Sequence, residues 1–107
     1  MQRIVIKNIE ILSPTEKSKA MTLLEEAHKK AERMLHNEVE LILYVKEYKT
    51  EGSDTKKKKY SLTLDCKSET KHFKSESVEW DFRRTLHKAI EKLMTEIEHK
   101  FHVSEQR

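Results

Sequence analysis

The hydrophobic positions change period along the chain. Arg3 to Ile11 is rich in β-branched residues (Ile4, Val5, Ile6, Ile9 and Ile11) and predicts a strand. Ser13-Pro14-Thr15-Glu16 predicts a helix start, with Ser13 as N-cap, Pro14 at the first helical position and Glu16 closing a capping box. From there the period becomes helical. Ala20, Leu23, Leu24, Ala27, Ala31, Met34 and Leu35 form a buried stripe to about His36, and Asn37 can close the helix. Val39 to Lys49 alternates, with Val39, Leu41, Leu43 and Val45 on the core side and Glu40, Ile42, Tyr44, Lys46 and Tyr48 on the other. Gly52, Ser53 and Asp54 mark a turn. Tyr60, Leu62, Leu64 and Cys66 give a third strand, Lys67 to Thr70 a second turn, and Lys71 to Glu76 a fourth strand around Phe73.

The last helix is expected from Ser77, as N-cap, to His102. Leu86, Ala89, Ile90, Leu93, Ile97 and Phe101 recur on one face. Glu79 and Asp81 suit the positive end of its dipole, and His99, Lys100 and His102 the negative end. The order is β-α-β-β-β-α. This predicts an α+β fold, a four-stranded mixed sheet with two helices packed on one face. The first two strands should be parallel through a right-handed crossover, and the last three an antiparallel meander. Residues 1–102 are expected to form one domain, with 103–107 a frayed tail.

Composition narrows the class. Of the 107 residues, 38% are charged and 36% hydrophobic, which predicts a modest core under a charged surface. The single cysteine, Cys66, cannot form an internal disulfide and is expected in the core, where a thiol is inert. No apolar run approaches the roughly 20 residues of a membrane span. A soluble cytoplasmic protein that does not engage membranes is the expectation.

Charge is uneven. Lys46 to Lys74 holds nine lysines against five acidic residues, a net of +4, whereas the whole chain carries only +3. The run Lys56-Lys57-Lys58-Lys59 could neutralise phosphates and release counterions, or serve as a solvated loop that guards a strand edge. Lys71 and Lys74 extend that basic region. Arg84, Lys88 and Lys92 stand at i, i+4 spacing beside Arg83, as a second phosphate-binding candidate or as a solvated face paired with Glu91 and Glu96. His28, Glu32 and His36 share one helix face, and His99 and His102 another, but neither set completes a metal site. With one glycine there is no phosphate-binding loop, and no nucleophile–base constellation is evident. The chain is read as a non-enzyme with no cofactor and no small-molecule substrate. Tyr44 and Tyr48 could stack on bases, cover the sheet or bury a dimer contact.

The element order and the stretch Glu76-Ser77-Val78-Glu79-Trp80-Asp81-Phe82-Arg83-Arg84-Thr85-Leu86, followed by Ile90-Glu91-Lys92-Leu93, resemble the short ribosome hibernation factors. These are the family of hibernation-promoting factor and ribosome-associated inhibitor A. Asp81-Phe82, Leu86 and Glu91-Lys92-Leu93 fit the last-helix pattern, and Lys30-Ala31-Glu32 is similar to the family's Lys-Leu-Glu. The chain departs from it with Arg83 where Tyr is usual, Ser77 where Gly is common, and Glu25, Glu26, Glu96 and Glu98 on helices that are usually more basic. Of the family's helix lysines, Lys30 and Lys92 align. The resemblance implies a divergent member that binds the small ribosomal subunit and its rRNA in the mRNA and tRNA channel, silencing or protecting idle ribosomes. The expected RNA-binding residues are Lys30, Lys56, Lys57, Lys58, Lys59, Lys71, Lys74, Arg83, Arg84, Lys88 and Lys92. Two alternatives stand beside it. The β-β-β-α portion also resembles a double-stranded RNA-binding domain, and the outer sheet face with Ile42, Tyr44 and Tyr48 could make a protein-interaction module or homodimer without RNA affinity.

Overall fold

The computed structural model describes residues 3–49 and 58–105, those at 49, 58 and 101–105 by backbone alone. The first strand, β1 (Arg3–Lys7), is shorter than the β-branched run predicts. Asn8 enters the left-handed region at φ 64°, a conformation its short polar side chain tolerates, and donates from Nδ2 to the Val45 carbonyl at 3.1 Å. A single 3-10 turn, Ile9–Ile11, then delivers Leu12 to the core.

Helix α1 (Pro14–Leu35) begins as its sequence dictates. Ser13 Oγ accepts from the Glu16 N–H at 3.2 Å, and Glu16 Oε1 accepts from the Ser13 N–H at 2.9 Å. Ala20, Leu24, Ala27 and Ala31 are buried, and Leu23, Met34 and Leu35 pack at the margin. The helix stops at His36, which takes the left-handed cap position at φ 53° in place of the expected Asn37.

Strands β2 (Val39–Lys49), β3 (Lys58–Ser68) and β4 (His72–Glu79) follow, and helix α2 (Phe82–Glu105) ends the described chain. The sheet order is β1-β2-β3-β4, with β1 and β2 parallel and the other pairs antiparallel, as expected. Val39, Leu41, Leu43, Val45, Leu62, Leu64, Cys66 and Phe73 share one core cluster with Leu24 of α1 and Leu86, Leu93 and Ile97 of α2. The opposite sheet face is left uncovered by the helices. Among the described residues, no helix is long and apolar enough to cross a membrane.

The boundary between β4 and α2 differs from the expectation. Ser77 is no helix cap; it is buried in β4 and paired with Leu62. Phe73, Ser75 and Ser77 form the inward row of that strand, and Ser75 Oγ donates to the Ala89 carbonyl at 2.7 Å. Small side chains are what this close helix–strand approach requires, so the row's polarity hides its alternation. Glu79 accordingly belongs to β4. Asp81 caps α2 instead, its Oδ2 accepting from the Arg84 N–H at 2.9 Å.

Candidate nucleic-acid interface

The expected RNA-binding residues fall into separate places. Lys56 and Lys57 lie outside the described residues, and Lys58 is described by backbone alone. Lys59 is exposed on the open sheet face beside Tyr48, with Nζ 5.4 Å from the Trp80 ring centroid. Lys71 sits in the β3–β4 turn, which Ser68 closes through both its N–H and its hydroxyl. Lys74 is exposed on the open face opposite Asp65.

Helix α2 supplies the second group. Arg83 and Arg84 are exposed in its first turn. Lys88 Nζ donates to Glu79 Oε2 at 2.9 Å, and Lys92 Nζ donates to the Glu76 carbonyl at 3.0 Å. The hydrogen bond from Lys88 holds the Glu79 carboxyl below its ordinary range. Desolvation opposes this, while the charges of Lys88, Arg84 and Lys59 add to it. Lys88 alone contacts this half-buried carboxylate, while Arg84 and Lys59 act on it through their charge, Lys59 from the open face of the sheet. Register places Lys59 there, since Tyr60 pairs with Glu79.

The structure does not bring all eleven residues together. Lys71 stands past the opposite end of β4, roughly 25 Å of strand away. Lys30 lies on α1, at a groove of about 500 Å³ between the helices lined by Leu23, Met94, Glu26 and Glu91. The carboxylates of Glu26, Glu91 and Glu98 share that groove with it. Lys88 and Lys92 already hold partners on β4, so each would bring part of its hydrogen-bonding capacity to a phosphate.

Trp80 gains an importance that the sequence did not give it, and Tyr48, already a stacking candidate, gains a partner. Trp80, at 50% exposure, and Tyr48, at 51%, lie on either side of Lys59. Trp80 was hidden by the expectation of a helix across residues 77–81. Its place becomes legible only once β4 extends to Glu79.

The remaining chemistry-bearing residues serve the interior. Cys66 is fully buried, and burial pushes its thiol up to about 12, with the Glu32 charge adding to the shift. His28 is buried, and its Nε2–H donates to the Val39 carbonyl at 2.8 Å. Glu32 Oε2 lies 3.6 Å from that ring and accepts from the Val39 N–H at 3.2 Å, so both residues fasten the start of β2. Among the described residues, no three His, Cys, Asp or Glu side chains gather to hold a metal ion.

No protein-family model and no curated protein matches the chain. Solved structures do. The N-terminal domain of Thermus thermophilus Protein Y aligns over 92% of this chain and 98% of its own, at a TM-score of 0.56 and 15% identity. A ribosomal subunit interface protein from Coxiella burnetii aligns over 92% and 93%, at 16% identity and a TM-score of 0.46. The chain thus shares the fold of the Protein Y N-terminal domain almost from end to end, the structural likeness that the sequence resemblance leads one to expect.

Proposed function

We propose that this chain is a ribosome-associated factor that binds the small ribosomal subunit through rRNA and silences or protects idle ribosomes. The near-complete match of its fold to the Protein Y N-terminal domain carries the reading, together with the sequence resemblance to the hibernation factors. The convergence of Lys59, Arg84 and Lys88 at one end of the molecule supports it electrostatically. Action is by occlusion. The folded domain lodges in an RNA-walled channel, arginines and lysines neutralise phosphates, and its volume excludes tRNA or mRNA. Such a factor works in the cytoplasm and needs neither cofactor nor small-molecule substrate.

Sedimentation with purified small subunits across a salt series tests this. Co-migration that weakens with salt is the expected result. Absence from the subunits even at low salt overturns it. The second reading is a domain for RNA outside the ribosome, favoured by the half-exposed Tyr48 and Trp80. Preference for free RNA over subunits in a competition experiment would select it.

A further inference from the structure

The described residues include five exposed large hydrophobics, and three of them, Tyr48, Val78 and Trp80, gather at one end of the open sheet face. Register builds the patch. Tyr48 pairs with Lys59, whose ammonium lies over Trp80, and in the next row Lys46 pairs with Ser61 and Ser61 with Val78. These two rows contain no acidic side chain. Among the described residues, the nearest acid on this face, Glu76, stands one row further in, opposite Thr63, and Asp81 beside Trp80 is occupied in capping α2. Tyr48 and Trp80 are two strands apart, about 10 Å, with a lysine between them.

This chemistry specifies an occupant. Exposed aromatic rings next to two exposed lysines suit a polyanion that carries flat rings, and a protein strand without acidic side chains would leave the two lysines uncompensated. We propose that the Tyr48–Lys59–Trp80 end of the open sheet face binds single-stranded RNA, with unpaired bases stacked on Tyr48 and Trp80 and Lys46 and Lys59 directed to phosphates. A duplex keeps its base faces inside its own stack and gives the aromatics little to hold. The proposal rests on RNA being the target in the function proposed above, and adds the surface and the strandedness. Lys59 belongs to both, linking the patch to the cations around Glu79.

Trp80 is the only tryptophan, so its fluorescence reports this site alone. Titration with a short oligoadenylate should quench the emission, and a duplex of equal charge should leave it nearly unchanged. Tyr48→Ala should weaken oligoadenylate binding about tenfold, the loss expected of one stacking contact. Lys46→Glu, a charge reversal at an exposed position with no packing to lose, should weaken it as well. Equal quenching by duplex, or Tyr48→Ala and Lys46→Glu variants that bind as the unaltered chain does, overturns the proposal. So does Trp80 emission that shifts with protein concentration without RNA, which assigns the patch to a second copy of the chain. Sedimentation of the same variants separates the two readings. Co-migration with subunits without oligoadenylate quenching removes the patch and keeps the ribosome, and quenching without co-migration does the reverse.

Discussion

Tyr60 donates its phenolic hydrogen to Glu16 Oε2 at 3.3 Å, joining β3 to the first turn of α1. The other oxygen of the same carboxylate closes the capping box on Ser13. One side chain thus serves a local signal and a contact across 44 residues. Glu16→Ala should remove both and cost about 1–2 kcal/mol. Glu16→Gln, which can still accept from Ser13, should cost less. Urea unfolding midpoints of the two variants check the order.

The same contact predicts a response to alkaline pH. Burial, followed by the Glu16 charge and hydrogen bond, raises Tyr60 from 10.0 to about 12. The fold favours the protonated phenol, so this contribution is fully present below pH 10 and is lost as pH rises towards 12. Cys66, raised from 9.0 to about 12, adds a loss that begins about one pH unit lower. Unfolding free energy should therefore decline through this window, by up to about 1.4 kcal/mol per pH unit for each group. Tyr60→Phe should make the decline shallower, and denaturant unfolding at a series of pH values measures it.

Glu79 restrains the cation cluster. Glu79→Gln should release Lys88, Arg84 and Lys59 from the carboxylate's charge and strengthen RNA binding, with a steeper salt dependence. Lys88→Ala should act in the opposite direction. Binding isotherms at three salt concentrations distinguish the two, and a Glu79→Gln variant that binds more weakly would show that the carboxylate positions the cations rather than masking them.

Replacing Lys56 to Lys59 together with Ala should weaken binding to the small subunit and flatten its salt slope. Each lysine that neutralises a phosphate should account for about 0.7–0.9 of that slope. An unchanged slope would move the phosphate contacts to α2.

The elements that read correctly from sequence are those whose signals are local. Ser13, Pro14 and Glu16 announce α1 within four residues, and the alternation of Val39, Leu41, Leu43 and Val45 matches β2 over its length. The misreadings have physical reasons. Ile9 and Ile11 continue a β-branched run, but Asn8 turns the backbone out of the strand just before them. Ser75 and Ser77 face the core because α2 approaches closely, a tertiary demand that polar residues conceal. His28 reads only as one of a helix-face set with Glu32 and His36 until Val39, eleven residues on, supplies its carbonyl. The site was legible as an inventory of lysines and arginines. The charge that Lys59 brings to Glu79 and the partnership of Tyr48, Lys59 and Trp80 depend on cross-strand register, which no single stretch of sequence carries.

The lysines that α2 lays on β4 have a consequence for how the sheet meets other molecules. Lys92 occupies the outward carbonyl of Glu76, and Lys88 holds Glu79 beside it. A fifth strand arriving along this border would have to evict an ammonium group and settle between two positive charges. The β4 margin thus resists lateral growth, and a partner that meets it must recognise side chains rather than prolong the ladder.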